Sequence, residues 1–590
     1  MTKKKSFVVI TKVADRQVHN HKTSFLQATL RYLQNLLGMS STHDSHIDYQ
    51  HDYVALPDDY GADSYYNRND VQSIIKTVRE NLTTLDRKTH FTDQITDRKV
   101  VIKPNLVTVC HNMGFVKPDY PNTTDPRVLD AVVLFLKDYT SNIVIAESSG
   151  RPIPTRASFK MAGVDRLARH HGIELMALEE QQVDRYFLPK AEAMKEVIVP
   201  QIFTEIVEGR AFYISMPKLK TNLYTKVTLG FKNSMGCLSY NLRQRNHNFN
   251  INQKLVDILY LFQPDLVIID GIVGAEGQCP APVDPVDSRV IISGDNPVET
   301  DRVATRMMGQ NPDEVDLTRI ATEKGFGDSS VEVIGKEETM AFRPADPSLM
   351  NDAFQALFPQ VKILIGHRLP NSQIITDKDS VTPEMMRQME LDCRGGCLAT
   401  TRLGFDYLYY EGVDRSFELV VVIGCGVEID GGIWYFDRDG HPYSLKDIAG
   451  LPGKKLAVGS CARIAKDVTD DFLEGCMINP NAGHMAIHKL SGERCRIVSS
   501  KHNPSFSILA KGVLGMLRAR IRQLRRGHYL DTDLNTICPC DGDIPDPTEL
   551  GTADMNQDYI KWDFPEMTAA EKRRLVREEW KNTLESFIDL

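Results

Sequence analysis

Lys99-Val-Val-Ile-Lys-Pro-Asn105 is a short apolar run that stops at a lysine, a proline and an asparagine. Asp125-Pro126 follows as an N-cap with proline at the first helical position, and predicts a helix through Lys137. Residues 142–147 form the next apolar run, ended by Ser148-Ser149-Gly150. Strand, helix and strand in that order predict a mainly parallel sheet with helices on both faces. The alternation continues through strand candidates at 211–215, 266–269 and 290–293, and residues 5–12 read as one more strand. A second α/β unit starts near residue 355, with candidates at 361–365, 418–423 and 455–458.

The expected class is therefore α/β: mainly parallel open sheets flanked by helices, in two α/β domains plus a helical C-terminal region. The expected divisions are an N-terminal helical or irregular extension (1–98), an α/β domain (99–345), a cysteine-rich, metal-binding α/β domain (355–504) and a helical end (505–590). In that last region Leu509, Val513, Leu517, Ile521 and Leu524 make a helical stripe beside Arg518, Arg520, Arg522, Arg525 and Arg526. Residues 538–566 read as loop, and Thr568-Ala-Ala-Glu571 is a capping box that opens a final helix.

Composition narrows the function classes. The 590 residues are 42% hydrophobic and 25% charged, which excludes a wholly disordered, collagen-like or coiled-coil chain. A net charge of −9 gives no global basic field for nucleic acid. A membrane span needs about 18–20 apolar residues in a row. Runs such as 131–136 stop at six, so the sequence reads as cytoplasmic, with no membrane partner. Eleven cysteines are too sparse for a disulfide scaffold.

Polar residues cluster just after the apolar runs. Lys103 and Asn105 follow one, Glu147, Ser148 and Ser149 another, and Lys218 and Lys220 a third. Lys232-Asn233, then Arg245 and His247, come next, and Asp270 ends a further run. Ligands of open parallel sheets sit beyond the carboxyl ends of the strands. Ammonium and guanidinium groups placed there neutralise an anion, while hydroxyls and amides orient it. Lys103, Lys220, Lys232, Glu147 and Asp270 are thus the catalytic candidates. Asn105, Ser148, Ser149, Lys218, Asn233, Arg245 and His247 are the substrate-binding candidates. Any one of these lysines alone would read as a surface residue. No phosphate-loop motif, complete dinucleotide fingerprint or Gly-x-Ser-x-Gly elbow is present.

The ordered set Val101-Ile-Lys-Pro-Asn105, Thr124-Asp-Pro126, Ala146-Glu-Ser-Ser-Gly150, Pro217-Lys-Leu-Lys-Thr221, Phe231-Lys-Asn-Ser-Met-Gly236, Asp270-Gly271, Glu276-Gly277 and Ser293-Gly-Asp295 resembles the family called domain of unknown function 362. The resemblance covers about residues 99–335 and implies association with iron–sulfur modules. Two features depart from the family pattern. Asn222 stands where Lys-Thr-His is usual, and no Cys-x-x-Cys-x-x-Cys run follows at the C-terminus.

Five cysteines fall between residues 393 and 476: Cys393, Cys397, Cys425, Cys461 and Cys476. Cys425 and Cys461 each follow an apolar strand candidate through glycine. Thiolates at neighbouring strand tips would point into one crevice, and an iron–sulfur cluster needs such soft ligands, usually four. Cys393, Cys425, Cys461 and Cys476 are the expected four, with Cys397 as alternate ligand or reactive thiol. Zinc is the alternative metal, since Cys393 and Cys397 make one closely spaced pair. Buried thiols without metal are the third reading. Gly475-Cys-Met-Ile-Asn-Pro480 is also similar to the Gly-Cys-Pro-Pro-x-Pro end of cluster-binding subunits in hydrogenases and respiratory complexes.

The leading expectation is an iron–sulfur enzyme, with a 4Fe-4S cluster, acting on a small carboxylate or phosphate metabolite. Redox chemistry is the first guess and lyase chemistry the next. Two alternatives remain: a non-redox metabolite enzyme with structural zinc, and a non-catalytic iron–sulfur scaffold or carrier with an electron-transfer partner.

Overall fold

The computed structural model describes residues 5–13, 56, 59–107, 122–150, 154–238, 250–280, 283–328, 330–367, 375–393, 396–476, 478, 480–493, 506–528 and 556–588. Strands β1 (Lys5–Lys12), β2 (Lys99–Pro104), β3 (Ile143–Glu147), β4 (Glu174–Ala177), β5 (Val183–Phe187) and β6 (Glu196–Pro200) come first. They are followed by β7 (Ala211–Met216), β8 (Lys218–Asn222), β9 (Lys226–Thr228), β10 (Leu266–Glu276), β11 (Asp284–Val286), β12 (Val290–Gly294) and β13 (Ser330–Ile334). The main sheet runs β13-β1-β12-β10-β7-β2-β3-β4, with β11 and the β8–β9 hairpin attached to β10. β10, β7, β2, β3 and β4 are parallel, and β12 opposes both its neighbours. Val101 and Tyr213 pack into one apolar layer, while Val100, Ile102, Phe212 and Ile214 pack into the other. Burial on both faces is what continuous apolar parallel strands require.

Helix α1 (Asn69–Thr89) lies on β1, and α2 (Pro126–Leu136) lies beside α1. The Asp125 side chain accepts from the Arg127 amide, as the N-cap reading expects. The expected division at residue 98 is corrected. β1 is an inner strand between β12 and β13, and Asn81 of α1 donates to Val9 O and Ile291 O across it. β1 and α1, both before residue 99, are thus part of the first domain. Short strands with distant partners carry no local signal of which sheet they join.

The second domain holds β14 (Val361–Ile365), β15 (Leu419–Ile423), β16 (Val427–Ile429), β17 (Gly432–Phe436), β18 (Pro442–Ser444), β19 (Lys454–Val458) and β20 (Asp471–Leu473). Its order is β16-β17-β14-β15-β19-β20, with β18 on β17. β14, β15, β19 and β20 are parallel and in step: Ile365 pairs with Ile423, Ile423 with Val458, and Val458 with Leu473. Helices α3 (Cys397–Glu411) and α4 (Pro480–Ser491) pack together, and Gly404 allows it, because a Cβ there would lie 2.7 Å from Ile487 Cδ1.

The C-terminal region is not purely helical and not separate. Between α5 (Phe506–Arg526) and α6 (Ala569–Ile588), strand β21 (Ile560–Trp562) pairs antiparallel with β5 in a β21-β5-β6 sheet. Trp562 stacks on Phe187 with ring centroids 4.7 Å apart, and Gln523 of α5 donates to Gln181 O. Thr568 and Glu571 form the expected capping box of α6. Of the arginine face, Arg520 reaches Glu579 of α6 at 3.6 Å. Among the described residues, no helix is long and apolar enough to cross a membrane.

Candidate functional site

Lys103 and Glu147 end β2 and β3, Lys218 and Lys220 lie on β8, and Asp270 lies within β10. Beyond β9, the turn Lys232–Cys237 folds over them as a tight helical turn. The structure brings these residues together but buries most of them. Lys103 sits 2.7 Å from Glu147, and Lys218 sits 2.8 Å from Asp270, with all four 2% exposed or less. Glu147 also accepts from the Leu106 and Ser148 amides, and Asp270 from the Asp125 amide. These carboxylates are engaged as internal counter-ions of two lysines.

Lys220 is buried with amide oxygens only. Its Nζ donates to Asn105 Oδ1 at 2.9 Å, Asn122 O at 2.9 Å and Asn122 Oδ1 at 3.0 Å. Lys232 is half-buried and has no hydrogen-bond or ion-pair partner among the described residues. Burial pushes Lys220 down to about 8. Burial, reinforced by the Lys220 charge, pushes Lys232 down to about 7. Asn233 ties the site to the sheet, donating to Lys103 O and Ser215 Oγ while accepting from Lys103 Nζ.

The turn itself is fixed from below. Buried Asp301 accepts from the Gly230 and Phe231 amides, and burial raises its carboxyl to about 8. Gly236 is required, because a Cβ there would lie 2.9 Å from Lys103 Nζ and 3.0 Å from Glu147 Oε1. Asp295 accepts from the Phe7 amide, and Glu276 from the Arg343 amide, so both brace backbone. Ser148 and Ser149 are buried beside this cluster. Asn222 accepts from the Tyr224 and Thr225 amides and closes the β8–β9 turn. Arg245 and His247 lie outside the described residues.

In the second domain, four parallel strands end in step and each is followed by glycine and a donor. The runs are Ile365-Gly-His367, Ile423-Gly-Cys425, Val458-Gly-Ser-Cys461 and Leu473-Glu-Gly-Cys476. Gly424, Gly459 and Gly475 have φ of 94°, 94° and 134°, a backbone that favours glycine. A Cβ on Gly459 would lie 3.2 Å from Cys397 Sγ and 3.4 Å from Cys461 Sγ, so those sulfurs are within about 6.6 Å of each other. Cys397 Sγ is also 3.8 Å from Gly475 O, the residue before Cys476. Cys397 is the first residue of α3 and is buried. The Gly426 amide donates to Gly366 O at 2.9 Å, locking the His367 and Cys425 turns together.

This donor set is soft and cradled by glycine backbone, so it suits an iron–sulfur core. Tetrahedral zinc with bonds near 2.3 Å would need sulfurs about 3.8 Å apart. Among the described residues, no three cysteine sulfurs gather within 4.8 Å; the group that does is Asp437, Asp439 and His441 in the β17–β18 turn, with Asp437 buried and the other two exposed. The thiols thus stand wider than a single tetrahedral ion requires.

Residues 100–306 match the family model for a domain of unknown function, DUF362. The DUF362 stretch holds both lysine ion pairs, Lys220, Lys232 and Asp301, whereas the cysteine edge lies beyond it. No curated protein and no solved structure matches the chain.

The two edges meet at one interface. Leu223 and Tyr224 of the β8–β9 turn pack on Ala399, Leu403 and Tyr407 of α3, and Tyr224 Oη is 3.3 Å from Thr400 Oγ1. Lys220 is four residues before Tyr224, and Cys397 three before Thr400. His367 is a donor in this row that the sequence reading did not single out, and Cys393 stands at the C-cap of the helix Pro383–Asp392. The signal for His367 was present, since Leu-Ile-Gly-His repeats the strand-glycine-donor pattern of Val-Ile-Gly-Cys.

Proposed function

We propose that this protein is an iron–sulfur enzyme acting on a small anionic metabolite, with the centre held at the second sheet edge. The observation that carries the reading is the row of in-step strand ends, β15, β19 and β20, each followed within three residues by a glycine and then a cysteine. Cys425, Cys461 and Cys476 supply three thiolates, and Cys397 is the fourth, preferred to Cys393 for its contacts with Gly459 and Gly475. A bound cluster would supply electron transfer or Lewis acidity. The substrate carboxylate or phosphate would lie on the Lys232 side of the cluster, with the buried charge of Lys220 acting on it through the protein; neither lysine is paired with a carboxylate among the described residues. Lys103 and Lys218 hold the pocket floor through their ion pairs. Anaerobic purification tests the reading: broad absorption near 400 nm, with about four irons and four sulfides per chain, is expected. A colourless protein carrying one zinc per chain would reject it.

A further inference from the structure

A cleft of about 490 Å³ opens where the end of α5, the start of α6 and the segment after β21 meet. Its cations come from three elements: Arg526 from α5, Lys572 from α6 and Lys561 from β21. Gly527 ends α5 at φ 80°, and Lys572 crosses it, since a Cβ there would lie 3.4 Å from Lys572 Nζ. Lys572 therefore stands beside Arg526. Neither side chain has an ion-pair or hydrogen-bond partner among the described residues. Lys561 is held by Asp184 at 3.4 Å, and Asp184 also accepts from Thr204 Oγ1 at 2.6 Å. The walls are fixed. The Gly527 and His528 amides donate to Leu524 O and Gln523 O, and the His528 ring stacks on Phe564 with centroids 4.8 Å apart.

The lining is mixed in charge. Asp184, Asp563 and Glu566 balance the three cations, so a bare inorganic anion is not its best match. Phe564, Pro565 and Met567 add an apolar wall. A ligand that fits carries an oxyanion, hydrogen-bond donors and a flat apolar part together. Guanidinium and ammonium groups take phosphate, and carboxylates accept from ribose hydroxyls or a base amino group. The volume lies in the range of small-ligand sites, about 300–1,000 Å³. We propose that this cleft binds a nucleoside phosphate, with the phosphate between Arg526 and Lys572, the base against Phe564 and Met567, and Glu566 facing the donors of the ribose or base. Side chains and not loop amides would hold the phosphate, so no glycine-rich motif marks the site in the sequence. The cleft shares no residue with the lysine cluster or the cysteine edge, and the inference does not rest on the function proposed above.

ADP is the probe, titrated into the full-length protein by calorimetry. One ADP per chain is expected, bound about tenfold or more tightly than pyrophosphate, because ribose and base add contacts. Arg526→Ala and Lys572→Gln should each weaken ADP by about tenfold or more, as each loses a charge-assisted contact. Arg518→Ala, two turns back on α5 and about 12 Å away along its axis, should stay within about threefold. Arg526 and Arg518 are exposed, so neither truncation threatens the fold, and thermal unfolding of each variant checks this. Absence of ADP binding at about 1 mM overturns the proposal. Pyrophosphate binding as tight as that of ADP overturns it too, because the base and ribose then find no contacts. ADP binding that is unchanged in both cleft variants, or lost equally in Arg518→Ala, puts the nucleotide elsewhere and overturns the assignment.

Discussion

The two parallel sheets end their strands in opposite ways. At the first edge, lysines meet carboxylates and amides until only Lys220 and Lys232 lack an acidic partner. At the second, glycines with positive φ hold thiols and an imidazole and no lysine–carboxylate pair is drawn in among them. One architecture therefore carries two side-chain sets: cations closed by their own counter-ions, and thiols and an imidazole set on glycine turns. The difference lies in one or two residues after each strand, since the strands themselves are interchangeable apolar runs.

The comparison breaks most visibly if the first edge is not a self-neutralised floor. Lys218→Ala strands the Asp270 carboxylate in a dry site, and should cost about 3–5 kcal/mol in denaturant unfolding. Lys232→Gln, which removes no partner among the described residues, should be no less stable than the parent. Its sign is informative. The folded value of Lys232 lies below its unfolded value, so the parent pays a penalty that is complete below pH 7 and fades as pH rises toward the unfolded value. The variant should therefore gain most below pH 7.

At the second edge, Cys461→Ser or Cys425→Ser should lose most of the iron, because an alcohol oxygen is a poor ligand to iron–sulfide cores. Cys393→Ser should keep it, and iron counts on all three variants read the result. Gly459→Ala sharpens the point. Its Cβ would press on two sulfurs from a strained backbone, so metal loading should fall, with about 1–3 kcal/mol lost by the apoprotein in thermal unfolding. The smallest expected effect concerns pH. Binding of a carboxylate probe should weaken as pH rises through about 7 to 8, by up to about tenfold per unit, as Lys232 and then Lys220 lose charge. Lys232→Arg should flatten the profile.

Much of this was legible in the sequence. Every strand expected at 99–103, 142–147, 211–215, 266–269, 290–293, 361–365, 418–423 and 455–458 is present, because apolar runs punctuated by Gly, Pro and Asn carry their own limits. The polar clusters after those runs do converge. What was not legible is pairing at a distance. Nothing local says that Lys103 meets Glu147, that Lys218 meets Asp270, or that 560–562 is a strand of a sheet begun at 183. The choice between Cys393 and Cys397 likewise depends on which end of α3 faces Gly459, a matter of packing and not of spacing.

Strand β21 has a consequence for the order in which the molecule is made. Arg185 of β5 donates to the Asp563 carbonyl, 378 residues further along the chain. At about 5–20 residues per second on the ribosome, that partner emerges about 20–75 s after β5. For that interval the edge of β5 and the face of Phe187 have no cover from Trp562. The nascent first domain must therefore pass through a long stage with an open sheet edge, the kind of surface that recruits chaperones or pairs with the wrong chain.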